Sequence, residues 1–270
     1  MRVDLHVHTT ESDGTWTPQE VVREAVQRGL KAIAITDHDT TAGIRAAQEN
    51  APEGLEVVPG IEINAAAPDG ADIHILGLWI DPEHPALQEQ LDILRRSRIE
   101  RTEKILSLLR GLGIAITLDD VLKYAQEEVV SRSHIASVLL DKEVVSSKAE
   151  AFQRLIGEGC PAYVPRYKVE PAQAVKLILT AGGVPVLAHP GLLPNLDVLP
   201  VLVEAQLVGL EVIHPSHSEE QTAYYLDLAR RYGLLPSGGS DCHGPGGKDE
   251  VYLGRYTIPE EWLRQLEARR

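Results

Sequence analysis

Ten side chains in this sequence could hold a cation or carry a proton beside short apolar runs: His6, His8, Asp13, His38, Glu62, His74, His189, His217, Asp241 and His243. His6 and His8 lie two apart in Val3-Asp4-Leu5-His6-Val7-His8. Alternate residues of an extended strand share a face, so both imidazoles can reach one ion. Asp13 follows shortly in Ser12-Asp13-Gly14. Alone, the His pair suits an ordinary polar strand face equally well, and the rest of the chain shifts that balance.

The run Ile33-Ala34-Ile35-Thr36 ends abruptly in Asp37-His38-Asp39, a cluster costly to bury without a cation or hydrogen-bond partners. Gly60-Ile61-Glu62-Ile63 sets a carboxylate inside an apolar run, and Asp72-Ile73-His74-Ile75 does the same for an imidazole. Ala188-His189-Pro190-Gly191 places a His where a run stops, and Gly239-Ser240-Asp241-Cys242-His243-Gly244 supplies an Asp and a His in a glycine-permissive turn. Mixed nitrogen and oxygen donors suit Zn, Mn, Fe or Ni, and carboxylates able to bridge ions favour a multinuclear hydrolytic site. Ligand type does not name the ion.

The elements that must position these groups are the runs Val3 to Val7, Ala32 to Thr36, Leu55 to Ile63, Ile73 to Ile80, Val184 to Ala188, Leu210 to Ile213 and Leu234 to Ser237. Helix-like stretches separate most of them, which predicts an α/β domain with a largely parallel sheet. Parallel strands buried on both faces read as continuous apolar segments, and such folds carry chemistry at the carboxyl ends of their strands. The candidate ligands sit at those ends.

At 270 residues and 43% hydrophobic content the chain can bury one large α/β unit with an insertion. It has no apolar run of the roughly 18 residues needed to cross a bilayer, so no membrane partner is expected. Strand-like Arg2 to Val7 stands where a secretory leader would, so a cytoplasmic location is expected. A net charge of −14 disfavours long nucleic acid and anionic membrane, leaving small anionic substrates. Cys160 and Cys242 are too few for a disulfide framework or a four-thiolate site. Cys160 reads as a small buried hydrophobe, Cys242 as inert packing between two candidate ligands, and His84 as solvated in a polar turn. Gly244-Pro245-Gly246-Gly247-Lys248 lacks the spacing of a nucleotide-triphosphate loop, although Lys248 is expected near the cleft.

Taken in order, the HxH pair, SDG, TDHD, GIE, the His74 run, AHPG and GSDCHG resemble the polymerase and histidinol phosphatase (PHP) superfamily from Val3 to Gly244. The resemblance implies a distorted (β/α)7 barrel with a helical cap insertion and a trinuclear centre. Carried over residue by residue, it implies that His6, His8, Glu62 and Asp241 hold one ion and that Glu62, His74 and His189 hold a second. Asp13, His38 and His243 would complete a third. Two or three divalent ions are expected, Mn, Fe or Zn, with Mg admissible. The layout looks most like the group of 3′,5′-nucleoside bisphosphate phosphatases and 5′-nucleotide-releasing exonucleases.

That resemblance divides the chain into barrel residues 1–84 and 164–270 around a cap, 85–163. The cap reads as amphipathic helices, with Ile105, Leu108, Leu109 and Leu112 spaced for one apolar face. Arg98 and Arg101 lie three apart and could clamp a phosphate, or pair with Glu100 and Glu103 on a solvated face. Arg132 and His134 match an Arg-x-His of the family's cap, which implies substrate contact and a catalytic part. Arg95 reads as solvent-facing. His217 is a candidate proton donor to the leaving oxygen, since an imidazole titrates near neutral pH.

The expected activity is hydrolysis of nucleotide phosphate monoesters, on a 3′,5′-bisphosphate, a nucleoside monophosphate or a short 5′-phosphorylated RNA. Histidinol-phosphate hydrolysis is one alternative, and a non-catalytic metal-binding regulatory module is the other. The sequence points to no obligate protein partner.

Overall fold

A computed structural model describes residues 2–67, 70–124, 130–165, 167, 169–246 and 252–270. The chain divides into two compact units, Met1–Glu89 with Lys168–Arg270, and Gln90–Tyr167.

The first unit is built on one sheet. Its strands are β1 (Arg2–Val7), β2 (Ala32–Ile35), β3 (Glu56–Ala66), β4 (Asp72–Leu78), β5 (Val184–Leu187), β6 (Gly209–Ile213), β7 (Leu235–Gly238) and β8 (Ile258–Pro259), in spatial order β7-β6-β5-β4-β3-β2-β1-β8. All seven apolar runs form strands. The pairs β1/β2, β2/β3, β5/β6 and β6/β7 are parallel, while β4 runs antiparallel to both β3 and β5. A parallel bridge from Val7 to Cys242, just past β7, brings the far ends of the sheet together into a nearly closed barrel. The largely parallel expectation therefore holds except at the short β8, which pairs antiparallel with β1, and around β4, where a five-residue link after β3 is too short for the crossover a parallel neighbour needs.

The reversal has a consequence for chemistry. Because β4 runs backwards, its first residues lie beside the last residues of β3, with His74 paired to Asn64. An imidazole at the start of β4 thus joins groups at the ends of the other strands. On β1 the period of two sends Val3 and Leu5 into an apolar cluster with Leu76, Val184, Val186 and Leu263, leaving Asp4, His6 and His8 on the alternate positions. Each fully buried aliphatic side chain contributes about 1.5–3 kcal/mol.

Helices α1 (Pro18–Gln27), α2 (Ala42–Asn50), α7 (Pro171–Thr180), α8 (Leu199–Glu204), α9 (Glu219–Tyr232) and α10 (Glu260–Glu267) alternate with these strands. Their starts are written locally. Thr17 and Glu20 form a capping box ahead of Pro18, and Ser218 and Gln221 do so for α9.

The second unit holds most of α3 (Pro85–Gly111), then α4 (Leu118–Leu122), α5 (Arg132–Asp141), α6 (Lys148–Ala151) and a π-helical turn, Phe152–Ile156. It has its own core, including Ile105, Leu106, Leu109, Ile135, Leu139 and Ile156. The expected apolar face of α3 is rotated. Ile105 and Leu109 are fully buried, but Leu108 is 41% and Leu112 49% exposed, and Thr102 and Leu106 complete the buried stripe instead. Thr102, Ile105, Leu106 and Leu109 fall within one face at 100° per residue, so burial of Leu106 turns Leu108 outward.

Candidate metal centre

Glu62, on β3 and fully buried, is the hub of the first unit's polar interior. One carboxylate oxygen lies 2.9 Å from His74 Nδ1 and 3.1 Å from His189 Nε2. The other lies 2.9 Å from His38 Nδ1, 3.2 Å from His8 Nε2 and 3.4 Å from His6 Nε2. Five imidazoles from four segments thus converge on one acid.

Two further carboxylates extend the cluster. Asp241 Oδ1 is 3.0 Å from His8 Nε2 and 3.3 Å from His6 Nε2. Asp13 lies 3.2 Å from His243 Nε2, 3.8 Å from His8 Nδ1 and 4.0 Å from His38 Nε2. Among the described residues, three sets have donor atoms mutually within 4.8 Å, as an ion requires: His6, His8 and Asp241; His8, Asp13, His38 and His243; and His38, Glu62 and His74. Against the expected grouping, His8 and His38 each belong to two sets, while His189 meets the cluster through Glu62.

The donor atoms themselves fit cations. His6 Nε2, both nitrogens of His8, His38 Nδ1, Glu62 Oε2, His189 Nδ1 and His243 Nε2 are buried and make no hydrogen bond among the described residues. Leaving such atoms unsatisfied costs about 1–3 kcal/mol each, and a cation removes that cost. Burial pushes the carboxyls of Glu62 and Asp241 up, yet the surrounding imidazoles outweigh it and hold both well below the carboxylate range. Asp13 is likewise held low, burial being outweighed first by His243. Burial lowers His8, but the Asp241 and Glu62 carboxylates reverse this and push it up to about 10. His6 is raised well above its ordinary value in the same way, by Glu211, Asp241 and Glu62. A divalent ion can take the place of those protons.

The backbone is bent to deliver two of these groups. His189 has φ 25° and Asp241 φ 48°, in the left-handed region that residues with a Cβ seldom occupy. Gly239 lets the chain after β7 pass β1, since a Cβ there would lie 2.5 Å from His6.

Several groups that hold the centre escape a reading by motif. Glu211 on β6, fully buried, accepts from the His189 N–H at 2.6 Å and lies 3.1 Å from His6 Nδ1. Its signal was present, a lone carboxylate in the apolar run Leu210 to Ile213, as for Glu62. Asp37 does not face a cation. It accepts from Thr9 N–H, Thr9 Oγ1 and Ser12 Oγ at 2.6–2.7 Å and so fixes the loop that carries Asp13. Asp39 accepts from Asn64 N–H and Nδ2, both at 2.9 Å.

The two histidines after β6 have different settings. His217 has both ring nitrogens engaged, Nδ1 with the Val212 carbonyl at 3.0 Å and Nε2 accepting from Gly191 N–H at 3.0 Å. Burial lowers its pKa. This ring braces the turn after His189, and the geometry does not present it as the proton donor expected from sequence. His214 instead lines the cavity at the centre. Its Nδ1 accepts from Ser216 N–H at 3.1 Å, and its Nε2 lies 3.4 Å from Asp241 Oδ2. The cavity measures about 380 Å³, with His38, His74, His189, Leu192 and Tyr252 also in its wall.

Arg98, Arg101, Arg132 and His134 all belong to the second unit. Arg101 Nε donates to the Val164 carbonyl at 2.7 Å, and His134 Nδ1 accepts from Ser131 N–H at 3.3 Å. Arg132 donates to the Ile156 carbonyl at 3.2 Å while its guanidinium lies over Phe152 and Tyr163. That contact braces the π-helical turn. Arg95 pairs with Asp92 on an exposed face. Cys160 is half-buried and Cys242 buried. Lys248 lies outside the described residues. No helix among the described residues is long and apolar enough to cross a membrane.

Residues 4–159 match the family model described as PHP domain, more than half of the chain. The chain belongs to the PHP family. This PHP protein is 36% identical to a 3′,5′-nucleoside bisphosphate phosphatase of Chromobacterium violaceum, over 99% of its own length and 97% of the relative's. It is also 36% identical to the 5′-3′ exoribonuclease Rnm of Escherichia coli, covering 90% of this chain and 85% of that one. A solved structure from Bifidobacterium adolescentis, assigned to the metal-dependent phosphoesterases, superposes with a TM-score of 0.85 at 34% identity, covering 99% of this chain and 96% of the other.

Proposed function

We propose that this PHP protein is a metal-dependent phosphatase that hydrolyses phosphate monoesters of nucleotides. Its preferred substrate class is a 3′,5′-nucleoside bisphosphate or nucleoside monophosphate, with short 5′-phosphorylated RNA as a further substrate. The observation that carries the reading is the ring of five imidazoles around buried Glu62, in which His6 Nε2, His8 Nε2, His38 Nδ1 and Glu62 Oε2 are buried and make no hydrogen bond among the described residues. Similarity over nearly the full length of a nucleoside bisphosphate phosphatase supports the substrate class.

His6, His8, Asp13, His38, Glu62, His74, His189, Asp241 and His243 would hold two or three divalent ions, Mn, Fe or Zn. Such ions lower the pKa of a water and neutralise charge that develops on phosphorus. The residues do the rest. Glu62 and Asp241 stay ionised in spite of burial and so set a strongly anionic frame for the cations. His214, with Nδ1 accepting from Ser216 N–H, carries its proton on Nε2 at the cavity wall, where it can donate to a phosphate oxygen. Leu192 and Tyr252 offer apolar surface to the ester's organic group. A cavity of about 380 Å³ accepts a small ligand.

The test is phosphate release by protein stripped with chelator and reloaded with Mn, on adenosine 3′,5′-bisphosphate, AMP, histidinol phosphate and a short 5′-phosphorylated RNA. Preference for the bisphosphate, AMP or RNA supports the reading. Preference for histidinol phosphate, or no release from any of the four, overturns it.

A further inference from the structure

We infer that Glu211 is a positioning residue for the metal centre, one that decides which His6 nitrogen faces a cation and holds the backbone of His189 in place. The inference rests on the proposed metal-binding role of the site and goes beyond it, because Glu211 belongs to none of the donor sets.

Glu211 sits on β6 with no exposed surface. An ionised carboxylate only accepts hydrogen bonds, and both of its oxygens are used. One lies 3.1 Å from His6 Nδ1 and the other accepts from His189 N–H at 2.6 Å. Since the His6 contact needs a proton on Nδ1, the lone pair for a cation falls on Nε2. That nitrogen makes no hydrogen bond among the described residues and lies 3.3 Å from Asp241 Oδ1 and 3.4 Å from Glu62 Oε2. The second oxygen holds a residue whose φ of 25° is unfavourable for any side chain. That residue's Nε2 then meets Glu62 at 3.1 Å. One acid on β6 therefore couples a ligand of β1 to a residue after β5, an arrangement in which carboxylates raise the basicity of metal-bound imidazoles.

Glu211→Gln separates this role from plain packing, because it keeps the shape and loses one acceptor. With its oxygen toward His189 N–H, the amide nitrogen donates to His6 Nδ1 and moves the His6 proton to Nε2, where it blocks the cation. With the amide flipped, an N–H group meets the His189 N–H. Glu211→Gln should bind divalent zinc about 10–100-fold more weakly at one site, read by isothermal titration and metal content after dialysis. Its circular dichroism should match that of the wild-type protein. A variant that binds the same number of ions with affinity within about threefold of wild type overturns the inference while leaving the metal reading intact. A wild-type protein that binds no zinc sinks both.

A second measurement needs no variant. In zinc-loaded wild-type protein with ¹⁵N-labelled histidine, His6 should show a protonated Nδ1 and an unprotonated Nε2. The opposite tautomer overturns the inference even if Glu211→Gln does not fold.

Discussion

Gly239→Ala should damage the metal centre through a single methyl group. A Cβ at this position would lie 2.5 Å from both the Cβ and the backbone nitrogen of His6, against 3.4 Å or more for ordinary contact. Neither atom is the end of a flexible side chain, so one backbone has to move by roughly 1 Å in a close-packed interior. Overpacking of this kind costs about 1–3 kcal/mol. Each kcal/mol lowers Tm by about 2–4 °C in a chain of this size, so a fall of about 2–12 °C is expected. Metal–ligand distances tolerate only about 0.2 Å, so the same displacement should remove His6 from the set with His8 and Asp241. Gly29→Ala is the matched control. Gly29 has φ 71° with nothing within 4 Å, so alanine there strains the backbone alone, by about 1–2 kcal/mol, with metal content unchanged. The assays are thermal melts in chelator and metal content after reloading. A Gly239→Ala protein with wild-type metal content and affinity would refute the reasoning, whatever its Tm.

Two further outcomes follow from the same geometry. Asp4 accepts from Ser240 and Gly254 N–H at 2.8 and 3.0 Å, but burial outweighs these bonds and raises its carboxyl from 3.8 to about 6. Across that interval the folded protein keeps a proton that the unfolded chain has lost, so this group lowers stability as pH rises from about 4 to 6, by roughly 3 kcal/mol in all. In urea titrations of metal-free protein, wild-type stability minus that of Asp4→Asn should fall by that amount over this window, and a difference flat in pH contradicts the account. His217→Ala removes the brace between Gly191 N–H and the Val212 carbonyl and should cost about 1–3 kcal/mol of stability. Its pH–rate profile should keep both limbs; loss of one limb in a folded variant would restore His217 as the proton donor.

Much of the barrel was legible because strands buried on both faces leave a strong local trace. Val184 to Leu187 and Ala32 to Ile35 are wholly buried, so each reads as an unbroken apolar run with a polar residue where it stops. The reversal of β4 was less visible, since a run of apolar residues reads the same in either direction. The rotated stripe on α3 has a similar origin. Leu106 and Leu108 are both apolar, and only the packing of the second unit's core decides which one is covered.

Residue type and spacing by themselves pointed to nitrogen and oxygen donors at the ends of apolar runs or, as at Glu62, inside one. A strand's period of two and the cost of burying an unpaired charge are local properties, written wherever a histidine or carboxylate interrupts an apolar run. Tertiary structure alone decided how the donors group, with His8 and His38 each shared between two sets. It also decided that Asp37 serves a loop, that His217 is a brace and that Glu211 joins His6 to His189. Those roles depend on which atoms lie within about 3 Å across a nearly closed sheet, where partners such as His6 and Glu211 are 205 positions apart in the chain.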